Sequence, residues 1–166
     1  MVDLGTGSGA IALAVATEVR VAEVHAVELG DDAYEWAAAN LTGSGVDLRH
    51  GDLTDAFADL DGSVDVVVSN PPYIPLGAYE SVAPEARDHD PGLALFSGHD
   101  GLDALRAVER VAARLLRRSG VVGVEHADVQ GESAPAVLVS TGRWSEVRDH
   151  ADLAGRARFV TARLAR

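Results

Sequence analysis

Met1-Val2-Asp3-Leu4-Gly5-Thr6-Gly7-Ser8-Gly9-Ala10-Ile11-Ala12-Leu13-Ala14 opens the chain. Met1 to Leu4 reads as the end of a β-strand, Gly5 to Gly9 as a tight turn, and Ala10 to Val19, apolar and Ala-rich, as a helix. Glycines let the backbone turn sharply and let a ligand approach without meeting a Cβ. The helix that follows presents free N–H groups to that ligand. Strand, glycine turn and helix in this order point to an adenosine-containing cofactor on a Rossmann-like sheet. Gly5-x-Gly7-x-x-Ala10 also fits a dinucleotide fingerprint, and Glu28, at the usual spacing of about twenty residues, would hydrogen-bond ribose hydroxyls under either reading. Asp3 favours S-adenosylmethionine. A carboxylate at the strand tip can hold the methionyl ammonium directly or through water, whereas it would repel a pyrophosphate.

Outward from that turn, short apolar runs alternate with helical ones. Val21–Glu28, Val46–His50, Val64–Ser69 and Val121–Glu125 read as strands, the Val-rich third as a buried one. Asp31–Leu41, Asp55–Leu60, Leu102–Arg118 and Ser133–Thr141 read as helices, with Pro135 placed in the first turn of the last. In Leu102–Arg118 the residues Leu105, Val108, Ala112 and Leu115 share one face, while Arg106, Glu109, Arg110 and Arg117 lie elsewhere. Asn70–Asp100 holds five of the six prolines and reads mostly as loop. The alternation predicts an α/β fold with a mostly parallel, doubly wound sheet. Trp144–Arg148 and Arg158–Leu164 are strand-like runs joined by Asp152-Leu153-Ala154-Gly155, so they should form a C-terminal antiparallel hairpin.

The 166 residues suit one domain, and the 47% hydrophobic content suits a packed core. A net charge of −12 and an absence of lysine argue against a wide nucleic-acid footprint, which is built from clustered cations. Arg106 to Arg118 is the one basic cluster, and it reads as a solvated helix face. There is no cysteine, so no disulfide framework. The six histidines are scattered, and no metal site is expected. No apolar run reaches the roughly 18–20 residues of a membrane span, and no signal peptide opens the chain. A cytoplasmic protein is expected, with no membrane partner.

Asn70-Pro71-Pro72-Tyr73 follows the Val64–Ser69 strand directly, at the strand end where open α/β sheets bind ligands. These residue types suit methyl transfer to a planar amide nitrogen. Such a nitrogen is a poor nucleophile, because its lone pair is delocalised into the carbonyl. Two acceptors binding both of its N–H protons would aim that lone pair at the methyl carbon. Asn70 offers a side-chain carbonyl, and Pro71 a backbone carbonyl on a chain stiffened by proline. Tyr73 can cover the flat face. No strong base is required, since the product sheds its proton afterwards; orientation and preorganised dipoles carry the chemistry. After the third strand, Asp52 could take an adenine amino group and Leu53 pack its ring, although Asp52 reads equally as a turn residue.

With these motifs in place, Asp3–Ala14 (DLGTGSGAIALA), Val68–Ile74 (VSNPPYI), Asp90–Leu102 (DPGLALFSGHDGL) and Val124–Gly131 (VEHADVQG) together resemble the protein glutamine methyltransferases of the HemK/PrmC type. The resemblance covers essentially the whole chain, and the Asp90–Leu102 stretch is its more specific part. It implies a Rossmann-like class I methyltransferase domain over residues 1–166, using S-adenosyl-L-methionine. It implies that Gly5, Thr6, Gly7, Ser8 and Gly9 wrap the cofactor, Glu28 binds its ribose, and Asp52 and Leu53 lie at its adenine, with Asp3 and Asn70 also at the cofactor. Asn70, Pro71, Pro72 and Tyr73 would hold the glutamine amide, with Asn70, Pro71 and Tyr73 the catalytic set. Peptide chain release factors, methylated in their Gly-Gly-Gln loop, are the implied protein substrate. The chain departs from the family at Glu28 (usually Asp), at Asp90-Pro91 (usually Glu-Pro) and at Glu125-His126-Ala127 (usually Glu-Ile-Gly). The family's N-terminal helical recognition domain is also expected to be absent here, and the first strand to be truncated to its last residues.

Other readings use the same features. A methyltransferase acting on an exocyclic amino group of a DNA or RNA base would need the same site, against the acidity of the chain. A cofactor-binding protein without activity would follow from truncation. A nicotinamide-dependent oxidoreductase would leave Asn-Pro-Pro-Tyr unexplained.

Overall fold

The computed structural model describes residues 1–81 and 84–165. Five parallel strands come first in the chain: β1 (Val2–Leu4), β2 (His25–Glu28), β3 (Asp47–His50), β4 (Val64–Ser69) and β5 (Leu116–Glu125). The closing pair, β6 (Trp144–Ala151) and β7 (Ala157–Leu164), is antiparallel, and β7 also runs antiparallel to β5. The sheet order is β3-β2-β1-β4-β5-β7-β6. Beyond β1 on one side lie β2 and β3, and on the other β4 and β5, so the order reverses between β1 and β4. Such a reversal opens a crevice at the carboxyl ends of the strands.

Alternation along β1 explains the layers. Val2 and Leu4 are fully buried in the larger core, with α5 (Asp103–Leu115), α6 (Ser133–Ser140) and strands β4, β5 and β7. Asp3 lies opposite Ala26, which belongs to the smaller core built with Ala12 of α1 (Ala10–Glu18) and Ala37 of α2 (Asp31–Asn40). Helices thus cover both faces, as the alternating pattern predicted. β1 is three residues long and pairs with β4 only through Val2 and Asp3.

Several details differ from the sequence reading. β2 starts at His25, not Val21, because both neighbouring strands begin their pairing opposite His25; Val21 is left 95% exposed. α5 stops at Leu115 and Leu116 already pairs with Val64 of β4, so Arg117 and Arg118 belong to β5. Glu109, read as lying off the apolar face, is buried, where its carboxylate accepts hydrogen bonds from Trp144 Nε1 at 2.8 Å and Arg143 at 3.1 Å. The Asp55–Leu60 helix reduces to a 3-10 turn at Ala58–Leu60. Asn70–Asp100 is more ordered than a loop. It contains 3-10 turns over Leu76–Ser81 and the short helices α3 (Pro84–His89) and α4 (Gly92–Leu95); residues 82 and 83 of this stretch lie outside the described residues.

Candidate active site

The carboxyl ends of β1, β2, β3, β4 and β5 place five groups along one edge of the sheet: the glycine turn, Glu28, Gly51-Asp52, Asn70 and Glu125. The first three lie on one side of the reversal and the last two on the other.

On the first side, the turn is held by its own residues. Gly5 and Thr6 donate their N–H groups to the Val27 carbonyl, both at 3.0 Å. Gly7 has φ +58 and an added Cβ there would meet open space, so the backbone faces a void with nothing in front of it. Its N–H donates to Glu28 Oε2 at 2.8 Å, while Glu28 Oε1 accepts from Leu29 N at 2.9 Å and Gly30 N at 2.8 Å. Glu28 therefore braces the turn through backbone donors, a role that its expected one at the ribose did not anticipate. Ser8 is exposed, and its carbonyl is tied to Asn40 Nδ2 at 2.9 Å.

Asp3 is the electrostatic oddity. It is 1% exposed, its Oδ2 accepts from the Thr6 hydroxyl at 2.6 Å, and among the described residues its Oδ1 makes no hydrogen bond of good geometry, although the Ala12 backbone N–H lies close enough to ease the carboxylate's burial. Burial pushes the Asp3 carboxyl up to about 6, with the Thr6 hydroxyl acting in the opposite direction. A buried acid with an unmet oxygen beside an open glycine turn fits a cationic ligand group, and the methionyl ammonium of S-adenosylmethionine is one. After β3, a cavity of about 250 Å³ is lined by Val27, His50, Asp52, Ala56 and Phe57, among others. Asp52 Oδ1 accepts from the Thr54 N–H and hydroxyl, which holds its carboxyl below the usual range. Val27, Ala56 and Phe57 supply the apolar wall of the cavity, and Leu53 packs with them against the larger core.

On the second side, Ser69 ends β4 by donating its hydroxyl to the Leu4 carbonyl at 2.6 Å, a buried bond across the reversal. The next residue, Asn70, is exposed, and among the described residues nothing engages its side-chain amide or the Pro71 carbonyl. Pro71 is buried, and Pro72 and Tyr73 are half-buried. Burial raises the Tyr73 phenol, Glu125 adds to this, and the neighbouring Arg158 guanidinium opposes it. Tyr73 therefore stays a neutral phenol at neutral pH, suited to packing and not to acting as a base. Sequence reasoning missed Ser69, Arg158 and Gln130 here; only the Gln-Gly of the resemblance marked Gln130.

Two other expectations meet definite structures. His126, standing where the family has an apolar residue, is fully buried, with Nε2 2.8 Å from Asp149 Oδ1 and Nδ1 2.9 Å from the Ala127 carbonyl. Of the basic cluster, Arg106 pairs with Asp100 and Asp103, Arg114 with Asp61 and Arg117 with Asp65. Among the described residues no three His, Asp or Glu side chains gather as metal ligands, and no helix is long and apolar enough to cross a membrane.

The chain is 62% identical over 165 residues to the release factor glutamine methyltransferase of Streptomyces coelicolor, covering 99% of this chain and 59% of that protein. It is 48% identical over 145 residues to the 4-amino-L-phenylalanine/4-methylamino-L-phenylalanine methyltransferase of Streptomyces pristinaespiralis, covering 87% of this chain and 49% of that one. The chain thus spans about half to three fifths of the length of these relatives. The solved structure of a predicted O-methyltransferase from Agrobacterium tumefaciens shares the fold, with a TM-score of 0.68 at 20% identity over 99% of this chain and 73% of that one. The resemblance drawn from the motifs holds along the whole chain. The model of the methyltransferase small domain matches residues 1–83, and the chain belongs to that family.

Proposed function

We propose that residues 1–166 form one S-adenosyl-L-methionine-dependent methyltransferase domain that methylates the side-chain amide nitrogen of a protein glutamine, in the Gly-Gly-Gln loop of peptide chain release factors. The observation that carries this reading is that, among the described residues, nothing engages the Asn70 amide or the Pro71 carbonyl at the end of β4, beside the strand from which the glycine turn hangs. The cofactor supplies an electrophilic methyl on a sulfonium. Asp3, with its unmet Oδ1, would hold the ammonium; Gly5 to Gly9 and Glu28 the region next to it; and the Asp52 cavity the adenine.

The chain's own residues then orient the acceptor. Asn70 Oδ1 and the Pro71 carbonyl accept the two amide N–H protons, which turns the nitrogen lone pair toward the methyl carbon. As the nitrogen would take the methyl, with the carbon–sulfur bond breaking to leave a neutral thioether, positive charge would grow on that nitrogen where the two carbonyls stabilise it, and the product would then lose one N–H proton to water. Pro72 and Tyr73 cover the amide plane and exclude water. The cytoplasm, where release factors act, is the expected compartment. No direct contact with nucleic acid or membrane is part of the reaction.

The Streptomyces pristinaespiralis relative favours a second reading, an aromatic amine on a free amino acid. That nitrogen is likewise conjugated and carries two protons, so the same acceptors serve. Incubation with methyl-labelled S-adenosylmethionine and, in parallel, release factors or 4-amino-L-phenylalanine separates the two. Label mapped by mass to the Gln of Gly-Gly-Gln supports the first; label on the small amine alone replaces it with the second.

A further inference from the structure

Gln130 closes the far end of the Asn70–Tyr73 segment. It is 5% exposed and sits in the 3-10 turn Asp128–Gln130 that follows β5. Its Nε2 lies 3.1 Å from the Tyr73 carbonyl oxygen, and 3.4 Å from those of Asp100 and Gly101. Its Oε1 accepts from the Ala127 N–H at 2.9 Å. The amide can sit only this way round: three carbonyls require a donor and the Ala127 N–H requires an acceptor. One side chain therefore gathers three separate stretches of chain, the acceptor segment, the turn before α5 and the turn after β5.

The surroundings show that this junction is tight. Gly101 has φ +76, and a Cβ built there would fall 2.3 Å from the Tyr73 carbonyl oxygen and 2.8 Å from Gln130 Nε2. Beyond Tyr73 the chain pairs with the stretch after α4: Ile74 N–H donates to Leu95 and Leu76 N–H to Gly98, each at 2.9 Å. At the near end, Ser69 is bonded to the Leu4 carbonyl. Between these two anchors stand only Asn70, Pro71 and Pro72, and two of the three have a fixed φ. A segment so short and stiff takes its geometry from its ends.

We propose that Gln130 is the positioning residue of the acceptor site, fixing where the Asn70 and Pro71 carbonyls stand relative to the cofactor. This rests on the assignment of Asn70–Tyr73 as the glutamine holder. The buried Gln130 amide is taken up by backbone groups, so it acts through the segment it holds, and its loss should change turnover and leave binding almost alone.

Two variants of the whole chain test it. Gln130→Met keeps length and shape and removes both N–H donors. Gln130→Glu keeps an acceptor for Ala127 and sets an oxygen against the three carbonyls. The measurements are kcat and KM on a release factor, S-adenosylhomocysteine affinity by calorimetry, and amide hydrogen exchange at Ile74 and Leu76 with the β2 amides as reference. The expected result is a kcat loss of at least about tenfold with KM and cofactor-product affinity within about threefold. Exchange at Ile74 and Leu76 should quicken while β2 is unchanged. Wild-type kcat in both variants, unchanged exchange at Ile74 and Leu76, or equal loss of affinity and turnover with general loosening would each overturn the proposal. If the unmodified chain binds S-adenosylhomocysteine but never methylates glutamine, the functional reading has failed instead, and the exchange result alone decides the role of Gln130.

Discussion

The two sides of the crevice between β1 and β4 are built differently. The cofactor side is local: Asp3 to Gly9, Glu28 and Asp52 come from three consecutive strand ends, and Glu28 accepts three backbone N–H groups within the chain. The acceptor side is assembled from distant stretches, joined by backbone bonds beyond Tyr73 and, at Tyr73 itself, by the side chain of Gln130, and among the described residues nothing engages the Asn70 side chain. On the proposed function the first side binds the cofactor and the second aims the acceptor nitrogen. If so, substitutions on the first should move cofactor affinity, and substitutions on the second should move turnover.

The largest expected break is Gly7→Val. The backbone there has a positive φ and faces the open space assigned to the cofactor, so a β-branched side chain is both strained and in the way. S-adenosylhomocysteine affinity should fall by more than about 100-fold, which is more than about 2.7 kcal/mol, as read by calorimetry. Affinity close to wild type would mean that the cofactor lies elsewhere.

Asp3→Asn sharpens the contrast through opposite effects on stability and binding. The folded carboxyl titrates near 6 against a usual 3.8, so between those values the folded state holds the extra proton. Stability from this group is therefore present in acid and is lost as pH rises through about 4 to 6. At pH 7 the empty protein bears the full cost of the buried charge, on the order of 1–3 kcal/mol. Asp3→Asn should raise the melting temperature of the empty chain at pH 7 and change it little near pH 4, while lowering cofactor-product affinity about tenfold or more at pH 7. In the unmodified chain, affinity should rise as pH passes up through 6. A variant that melts lower at pH 7 and binds as well as the parent would remove Asp3 from the site.

Glu28→Gln is the smallest of the three. It exchanges one acceptor for an NH₂ group facing a backbone N–H, a mismatch worth about 1–2 kcal/mol. Cofactor-product affinity should fall roughly tenfold, and Gly7 amide exchange should quicken. Unchanged exchange at Gly7 would show that Glu28 does not brace the turn.

The same contrast explains what could be read from the sequence. The glycine turn, the doubly wound α/β alternation and the C-terminal hairpin are carried by local patterns: a glycine-rich run, alternating apolar and helical stretches, and a short connection between the last two strands. The end of α5 was not legible, because the apolar period of Leu105, Val108, Ala112 and Leu115 gives no sign that Leu116 leaves the helix to pair with Val64. Glu109 looked like a surface residue because its partners, Arg143 and Trp144, come from more than thirty residues downstream. Asn70–Tyr73 was legible as chemistry, but not its support. Nothing local to Gln130 announces that its amide meets Tyr73, and the proline-rich stretch gave no period from which the Ile74–Phe96 pairing could be read. His126 beside Asp149 is of the same kind, a buried polar pair made only by the strand register of the fold.

The division between binding and aiming is tested most directly by Asn70→Ala, with single-turnover methyl transfer to a release factor and S-adenosylhomocysteine calorimetry run on the same preparation. The account predicts a rate lowered about 30- to 1,000-fold, or about 2–4 kcal/mol of lost transition-state stabilisation, with cofactor-product affinity within about threefold of the parent. A variant that transfers methyl at the parent rate, or that loses affinity as steeply as rate, would contradict it.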